Sequence, residues 1–502
     1  MRDLNGCAHS TISSDAIYKE VVVVGNGPSG LGLSYMLAGN WPYYNNLAHP
    51  DEMLTARLHS SRHTRSLIHQ DLKFLSQGLE GRSNNPVSVL VDCLTHPGAD
   101  AGLDTPQLLR WRPHADKAVD HIVLGKGPPG GAWQAMDGNV LTISLNSWME
   151  LPGLEFRRWE ARNGSPVTST RRVPVASVAA YYRDYVRLMR LSKYFRSGVV
   201  VTSVRPIGGL ASQPGEIDSE AETATCHCHC HCHMSARWAV EGYDTVTNAP
   251  FLYVCRSVVL ATGSTDLHNF LNVPGELSHP SWVFHDLADF EKALIELVKE
   301  NPGYRTVDPV CIVGAGLSAA DAVLSSRFHS LPIIHIFRRA EVSPERTLPE
   351  NMYPEYHKVH QMMRSGGEGY PEYSAFPQHK VVDISAGDGK KVTTVSPSGL
   401  QVVHQVSLMA VLIGSRPDLS FLPPEFQDGQ TLAVDPERTL DCRSNPISVD
   451  PWSHSVSGAP VGLYAMGPLS GDNFVRFLLG GALAIASDIY SERKELSPPH
   501  CI

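Results

Sequence analysis

No apolar run in this 502-residue chain reaches the roughly 18 residues that span a bilayer. The best candidate, 474–489, is interrupted by Arg476 and Asp488 and reads as a buried helix. The first residues hold no apolar stretch of signal-peptide length, and Arg2 excludes the N-myristoylation pattern. These absences predict an intracellular, cytoplasmic chain with reduced thiols and no membrane span. The C-x-x-C pair is missing too. Six of the ten cysteines (Cys7, Cys93, Cys255, Cys311, Cys442 and Cys501) are scattered, and the other four lie in the tract CHCHCHCH at Cys226–His233. A dithiol oxidoreductase needs two cysteines placed to bridge beside its flavin, so this usage counts against that class. The tract would put its cysteines on one side of a strand and its histidines on the other. That is not the spacing of a folded zinc site, so we expect a low-complexity loop over 208–236 and no metal centre. A basic field is also absent. The formal net charge is -9, which argues against a nucleic-acid partner.

What is present is an ordinary globular composition, 42% apolar and 19% charged, over a length that suits about three domains, or two large ones. Two stretches then define the chemistry. VVVVGNGPSG at 21–30 is a buried parallel strand followed by Gly25, Gly27 and Gly30 in G-x-G-x-x-G spacing. The first glycine permits the tight turn, the second lets backbone approach a pyrophosphate, and the third lets the following helix pack closely. VCIVGAGLSA at 310–319 repeats the pattern with Gly314, Gly316 and Ala319. Each follows a strand and opens a helix, whose N-terminal amides face an anion. Two such turns on one chain predict two dinucleotides, a flavin (FAD) and a nicotinamide that reduces it. After the second helix comes IIHIFRRA, which places Arg338 and Arg339 at a strand end. Arginine there suits a ribose 2′-phosphate, and so NADPH.

The expected fold is α/β, a two-dinucleotide-binding-domain flavoprotein with a Rossmann-like FAD domain and an inserted NADPH-binding domain. The FAD domain occupies 18–270 and 405–495, and the NADPH domain occupies 275–404. A βαβ unit closes in about 30 residues, yet the chain runs about three times that from Gly30 to the next apolar strand, HIVLG at 121–125. Residues 38–117 are therefore an insertion. GPLSGDNFVRF at 467–477 is a turn holding Gly471 and Asp472, followed by a helix. That helix start is expected to point at the flavin ring and Asp472 at the ribityl chain. At the end of the 121–125 strand, where a carboxylate ordinarily grips the adenosine ribose, stands Gly125. Losing that acid predicts weaker, more readily lost FAD. Asp51 and Glu52, within the insertion, are the alternative acids.

GNGPSG, LEGRSNNPV, VLGKGPPGGAW, SWMELPGLEF, YPEYHKVHQMM and GPLSGDNFVRFLLGGALA together closely resemble the oxidative stress-induced growth inhibitor family. The resemblance runs from about residue 20 to 490, sparing the 208–236 loop. The family in turn resembles a divergent branch of the flavin-containing monooxygenases. It implies NADPH-dependent monooxygenase activity with O₂, control of proliferation, differentiation and cell death, and a role in late cytokinesis at the midbody with partners in that machinery. In the monooxygenase pattern, Gly130, Gly131 and Trp133 match the G-G-x-W loop along the flavin, and Asn146 matches an asparagine near its oxygen-reacting face. The class fingerprint F-x-G-x-x-x-H is not intact: His285 is kept, but Ser281 stands in place of the glycine. Two functions follow. One is an NADPH-dependent flavin monooxygenase acting on a small-molecule or protein substrate. The other is a regulatory nucleotide-binding scaffold or sensor with little turnover.

Overall fold

The computed structural model describes residues 16–61, 65–103, 105–164, 170–207, 236–301, 307–339 and 350–496. The CHCHCHCH tract lies outside them. The chain forms two compact units. One runs through Ser264 and resumes at Pro417, and the other is Thr265–Arg416.

The first unit is built on β1 (Ile17–Val24), whose valines Val21, Val22 and Val23 are fully buried. A buried Val contributes about 1.5–3 kcal/mol, so this run anchors the sheet from both faces, as a central parallel strand must. On one side β1 pairs in parallel with β2 (His121–Gly125), and on the other with β3 (Pro250–Leu260). The strand Phe195–Ser197 extends β2 in parallel. Trp238–Asp244 runs antiparallel beside the first half of β3 and pairs on its other side, again antiparallel, with Val199–Pro206, while Leu463–Ala465 joins the second half of β3 in parallel. α1 (Pro28–Leu37) leaves β1 through the first glycine turn and is buried along its whole length.

The insertion carries its own structure. Strands Asn40–Tyr44 and Leu109–Pro113 pair antiparallel, and α2 (Pro86–Thr95) lies between them in sequence. It shares a core with α1 and the C-terminal helix Val475–Leu496: Leu33, Met36 and Leu37 pack with Leu90, Leu94, Leu483 and Ile485. A third group of helical residues, Tyr181, Tyr182 and Tyr185 on Val175–Leu188, closes over Leu31 and Tyr35. The three hydroxyls donate to the carbonyls of Leu154, Met149 and Pro152, so the loop at 149–154 is held by side chains rather than by a strand.

The second unit has a five-stranded parallel sheet. β4 (Val310–Val313) sits between Met409–Val411 and β5 (Ile333–Phe337). α3 (Leu317–Phe328) follows β4 through the second glycine turn. A separate antiparallel sheet is made of Lys380–Gly387, Gly389–Val395 and Gln401–Gln405. The chain enters and leaves the unit on a short antiparallel pair, Leu267–His268 with Ser415–Arg416.

Candidate dinucleotide sites

At the end of β1, Gly25 adopts φ +114°, and a Cβ there would lie 2.2 Å from the Ala261 carbonyl oxygen. Only glycine satisfies both conditions. Gly27 differs: a Cβ on it would meet nothing within 4 Å. Gly27 is the N-cap of α1, with Pro28 at the first helical position and no side chain capping the amides that follow. An uncapped helix start behind an open glycine is what a pyrophosphate needs, since the free N–H groups and the helix dipole both favour an anion. Gly30 supplies the close helix approach, a Cβ there falling 2.2 Å from the Gly25 carbonyl oxygen.

The second turn repeats this geometry. Gly316 caps α3 without a side-chain acceptor, and a Cβ on it would again enter open space. Ala319 is fully buried under the turn. Beneath it His335, on β5, donates from Nε2 to the Gly314 carbonyl at 2.7 Å and accepts from the Tyr373 hydroxyl at Nδ1, 2.8 Å. Burial pushes this imidazole down to about 4, so the neutral ring that this pairing requires persists at neutral pH. Sequence reasoning missed His335. Its one signal was a polar residue inside an apolar strand. Arg338 and Arg339 follow β5 and are exposed. The residues of both turns thus fit the phosphates of a dinucleotide.

The loop that follows β2 closes on the first turn. The Gly130 N–H donates to the Asn26 carbonyl at 2.9 Å, and a Cβ on Gly131 would lie 2.9 Å from the Gly27 Cα. Trp133 is half-buried, edge-on to Tyr182 with centroids 6.1 Å apart. Gln134 fixes the loop by donating to the carbonyls of Pro129 and Ala179. Asn146 is fully buried. Its Oδ1 accepts the N–H groups of Ser147 and Arg171 at 2.9 and 3.0 Å, which settles the orientation of the amide. Its Nδ2 then has no partner among the described residues. A buried donor left unpaired costs about 1–3 kcal/mol.

Other residues sit differently from the expectations. The sequence places Asp472 at a ribityl chain. Its carboxylate, almost fully buried, accepts from Ser83 Oγ at 2.5 Å, Ser88 Oγ at 2.7 Å and Asn85 Nδ2 at 3.0 Å, all on the insertion. Burial pushes it up to about 6, against the pull of those donors. Gly471, at φ +92°, ends the 3-10 turn Gly467–Ser470 that presents it. Asp51 is a helix cap, accepting from the N–H groups of Met53 and Leu54. Gly125 has no room for an acid, because a Cβ there would lie 2.1 Å from the Asn26 side chain. In the second unit His285 bonds Glu276 at 3.0 Å. His360, Met362 and Met363 are buried on the helix Pro354–Arg364. Among the described residues the thiols of Cys93, Cys255, Cys311 and Cys442 are all free. Burial raises each of them, Cys93 to about 11. Also among the described residues, no helix is long and apolar enough to cross a membrane.

This architecture is the α/β fold of the two-dinucleotide-binding-domain class. Solved structures share it: bacillithiol disulfide reductase from Bacillus cereus aligns with TM-score 0.56 at 16% identity, covering 95% of this chain and 100% of the other. Ornithine hydroxylase from Pseudomonas aeruginosa aligns with TM-score 0.55 at 14% identity, over 95% and 100% of the two chains. No family model matches the sequence. Curated relatives are much nearer. The chain is 39% identical over 498 residues to human oxidative stress-induced growth inhibitor 2, covering 97% of this chain and 96% of the relative. It is 41% identical over 489 residues to mouse oxidative stress-induced growth inhibitor 1, covering 95% and 96%. A Caenorhabditis elegans homologue is 30% identical over 94% of each chain. The chain belongs to the oxidative stress-induced growth inhibitor family.

Proposed function

We propose that this chain is an NADPH-dependent flavin monooxygenase. The observation that carries the reading is the repeated geometry at Gly27 and Gly316, where an uncapped helix start stands behind open space. When bound at these sites, FAD and NADPH would supply the two electrons of an O₂-dependent oxygenation, one oxygen atom going to a soft nucleophile or a carbonyl and the other to water. The protein's own residues bind and orient. The turn of Gly25, Gly27 and Gly30 with the first amides of α1 holds the FAD pyrophosphate. The loop of Gly130, Gly131 and Trp133, which closes on that turn, would flank the flavin, and Gly471 shapes the turn ahead of the C-terminal helix. Gly314, Gly316 and Ala319 hold the NADPH pyrophosphate, and Arg338 and Arg339 hold its 2′-phosphate. Asn146, whose buried Nδ2–H has no partner among the described residues, would be the donor near the flavin's oxygen-reacting face. A buried donor of fixed orientation costs little reorganisation when charge develops. Among the described residues burial raises every thiol, which disfavours a dithiol reaction at those positions, since a thiolate is the nucleophile such chemistry needs.

The substrate is a small molecule or a protein, and the link to proliferation, cell death and cytokinesis, with partners at the midbody, rests on the family alone. A second reading, a nucleotide-binding scaffold or sensor with little turnover, draws on one observation: no carboxylate stands at Gly125 to hold the ribose. The visible spectrum of the purified chain, followed by NADPH oxidation in air with and without added FAD, decides between them. A flavin band and NADPH oxidation stimulated by added FAD support the enzyme. A colourless protein that stays silent in excess FAD supports the scaffold. Replacing Arg338 and Arg339 by Ala is expected to narrow the preference for NADPH over NADH at least tenfold, the loss of about 1.4 kcal/mol.

A further inference from the structure

The missing acid at Gly125 and the asparagine at position 26 are one feature. Gly125 ends β2, and its Val-rich neighbour β1 runs straight into Gly25, Asn26 and Gly27. The Asn26 side chain reaches across and fills the volume that a side chain at 125 would occupy, with its Cγ and Nδ2 both 2.1 Å from the position of a Cβ there. It is 4% exposed. Its Nδ2 donates to the Gly127 carbonyl at 2.7 Å, which fixes the amide so that Oδ1 is the free end. That Oδ1 accepts no hydrogen bond from the described residues.

We infer that Asn26 replaces the ribose carboxylate of the first dinucleotide site, presenting a neutral acceptor, Oδ1, to the adenosine ribose hydroxyls from the glycine turn instead of from the strand end. This rests on the reading of that turn as the FAD site. The exchange has two physical consequences. An amide oxygen accepting from a hydroxyl is a weaker partner than a carboxylate, so FAD is held about tenfold less tightly than by an acid in the same place. And positions 26 and 125 are coupled by volume: an acid can return at 125 only if the amide at 26 leaves, because β2 and the turn are both backbone-fixed.

The test is a double-variant cycle read by FAD titration (quenching of flavin fluorescence) and by melting temperature without ligand. Gly125→Asp alone is expected to lower the melting temperature and to weaken FAD binding at least tenfold, since the new side chain meets Asn26. Asn26→Ala alone is expected to keep the fold and to weaken FAD about three- to tenfold. The two together are expected to recover the melting temperature and to bind FAD about tenfold more tightly than Asn26→Ala. If the native chain binds FAD and both single variants bind it equally well, the inference is overturned while the flavin reading stands. If the native chain binds no FAD and the double variant does, the native-flavin reading fails while the exchange of positions is upheld. A double variant no more stable than Gly125→Asp alone overturns the coupling itself.

Discussion

Asp472 and Ser88 stand 384 residues apart in the chain and 2.7 Å apart in the fold. With Ser83 and Asn85, Ser88 gives the Asp472 carboxylate three donors, so the insertion is fastened to the residue that precedes the C-terminal helix. Removing the acceptor strands three donors at a buried contact. Asp472→Ala is therefore expected to cost on the order of 3 kcal/mol. Denaturant unfolding measures the loss, and limited proteolysis is expected to cut first near residues 83–95. An unchanged digestion pattern would show that the insertion is held by apolar packing alone.

One turn further along, Arg476 donates from Nε and NH2 to both oxygens of Asp92 on α2, at 2.9 and 2.5 Å, and lies over the Trp148 and Phe477 rings. Its side chain is 4% exposed and that of Asp92 is 10%. Asp92→Ala leaves a buried guanidinium with Asp100 as its one charged partner among the described residues and is expected to cost about 3–5 kcal/mol. Joining Asp92→Leu with Arg476→Met removes both charges and is expected to return most of that stability. The comparison of the two unfolding midpoints checks this. A double variant as unstable as Asp92→Ala would mean that Arg476 matters for its shape rather than for the pairing.

The two glycines of the first turn separate folding from binding. Gly25→Ala forces a Cβ onto the Ala261 carbonyl at a left-handed φ and is expected to lower the melting temperature sharply. Gly27→Ala meets no protein atom and is expected to fold normally while losing FAD, because its methyl takes the space of the phosphate. Circular dichroism melts paired with FAD titration read both. A Gly27→Ala chain that binds FAD like the native one would remove this turn from the cofactor site.

Acid is expected to destabilise the chain through its histidines. Burial holds His121 and His454 in the first unit and His335 in the second at about 4. In the unfolded chain they titrate near 6.5. Between these values the unfolded state binds protons that the fold does not, so stability is full above about 6.5 and falls as pH drops toward 4. Asp472 works in the opposite sense. Its folded value of about 6 lies above the unfolded one, so its contribution is present at low pH and is lost as pH rises through 6. Melting temperature is thus expected to fall from pH 6.5 to 4, and to fall more steeply in Asp472→Asn, which lacks the compensating proton uptake. A shallower fall in that variant would reverse the assignment for Asp472.

The sequence by itself determined the parts whose cause is local. Four consecutive valines followed by G-N-G-P-S-G dictate a buried strand, a left-handed glycine and an uncapped helix, because each step depends on the backbone of the same ten residues. The same holds at 310–319, and for the two arginines that must follow β5. The strings around Trp133 and Gly471 carried the family as well. What only the tertiary structure decided depends on residues distant in sequence meeting at one point. Nothing in S-G-D-N-F says that Asp472 faces Ser83, Asn85 and Ser88, since the insertion that brings them is itself held by that contact. Nothing in the strand 121–125 says why position 125 is glycine. The reason is the volume of Asn26, reached across a parallel strand pair. His335 was legible only as a misplaced polar residue, because the carbonyl it supports belongs to a neighbouring strand. Local backbone geometry is written in adjacent residues, whereas the occupancy of a buried volume is settled only when every chain segment competing for it is in place.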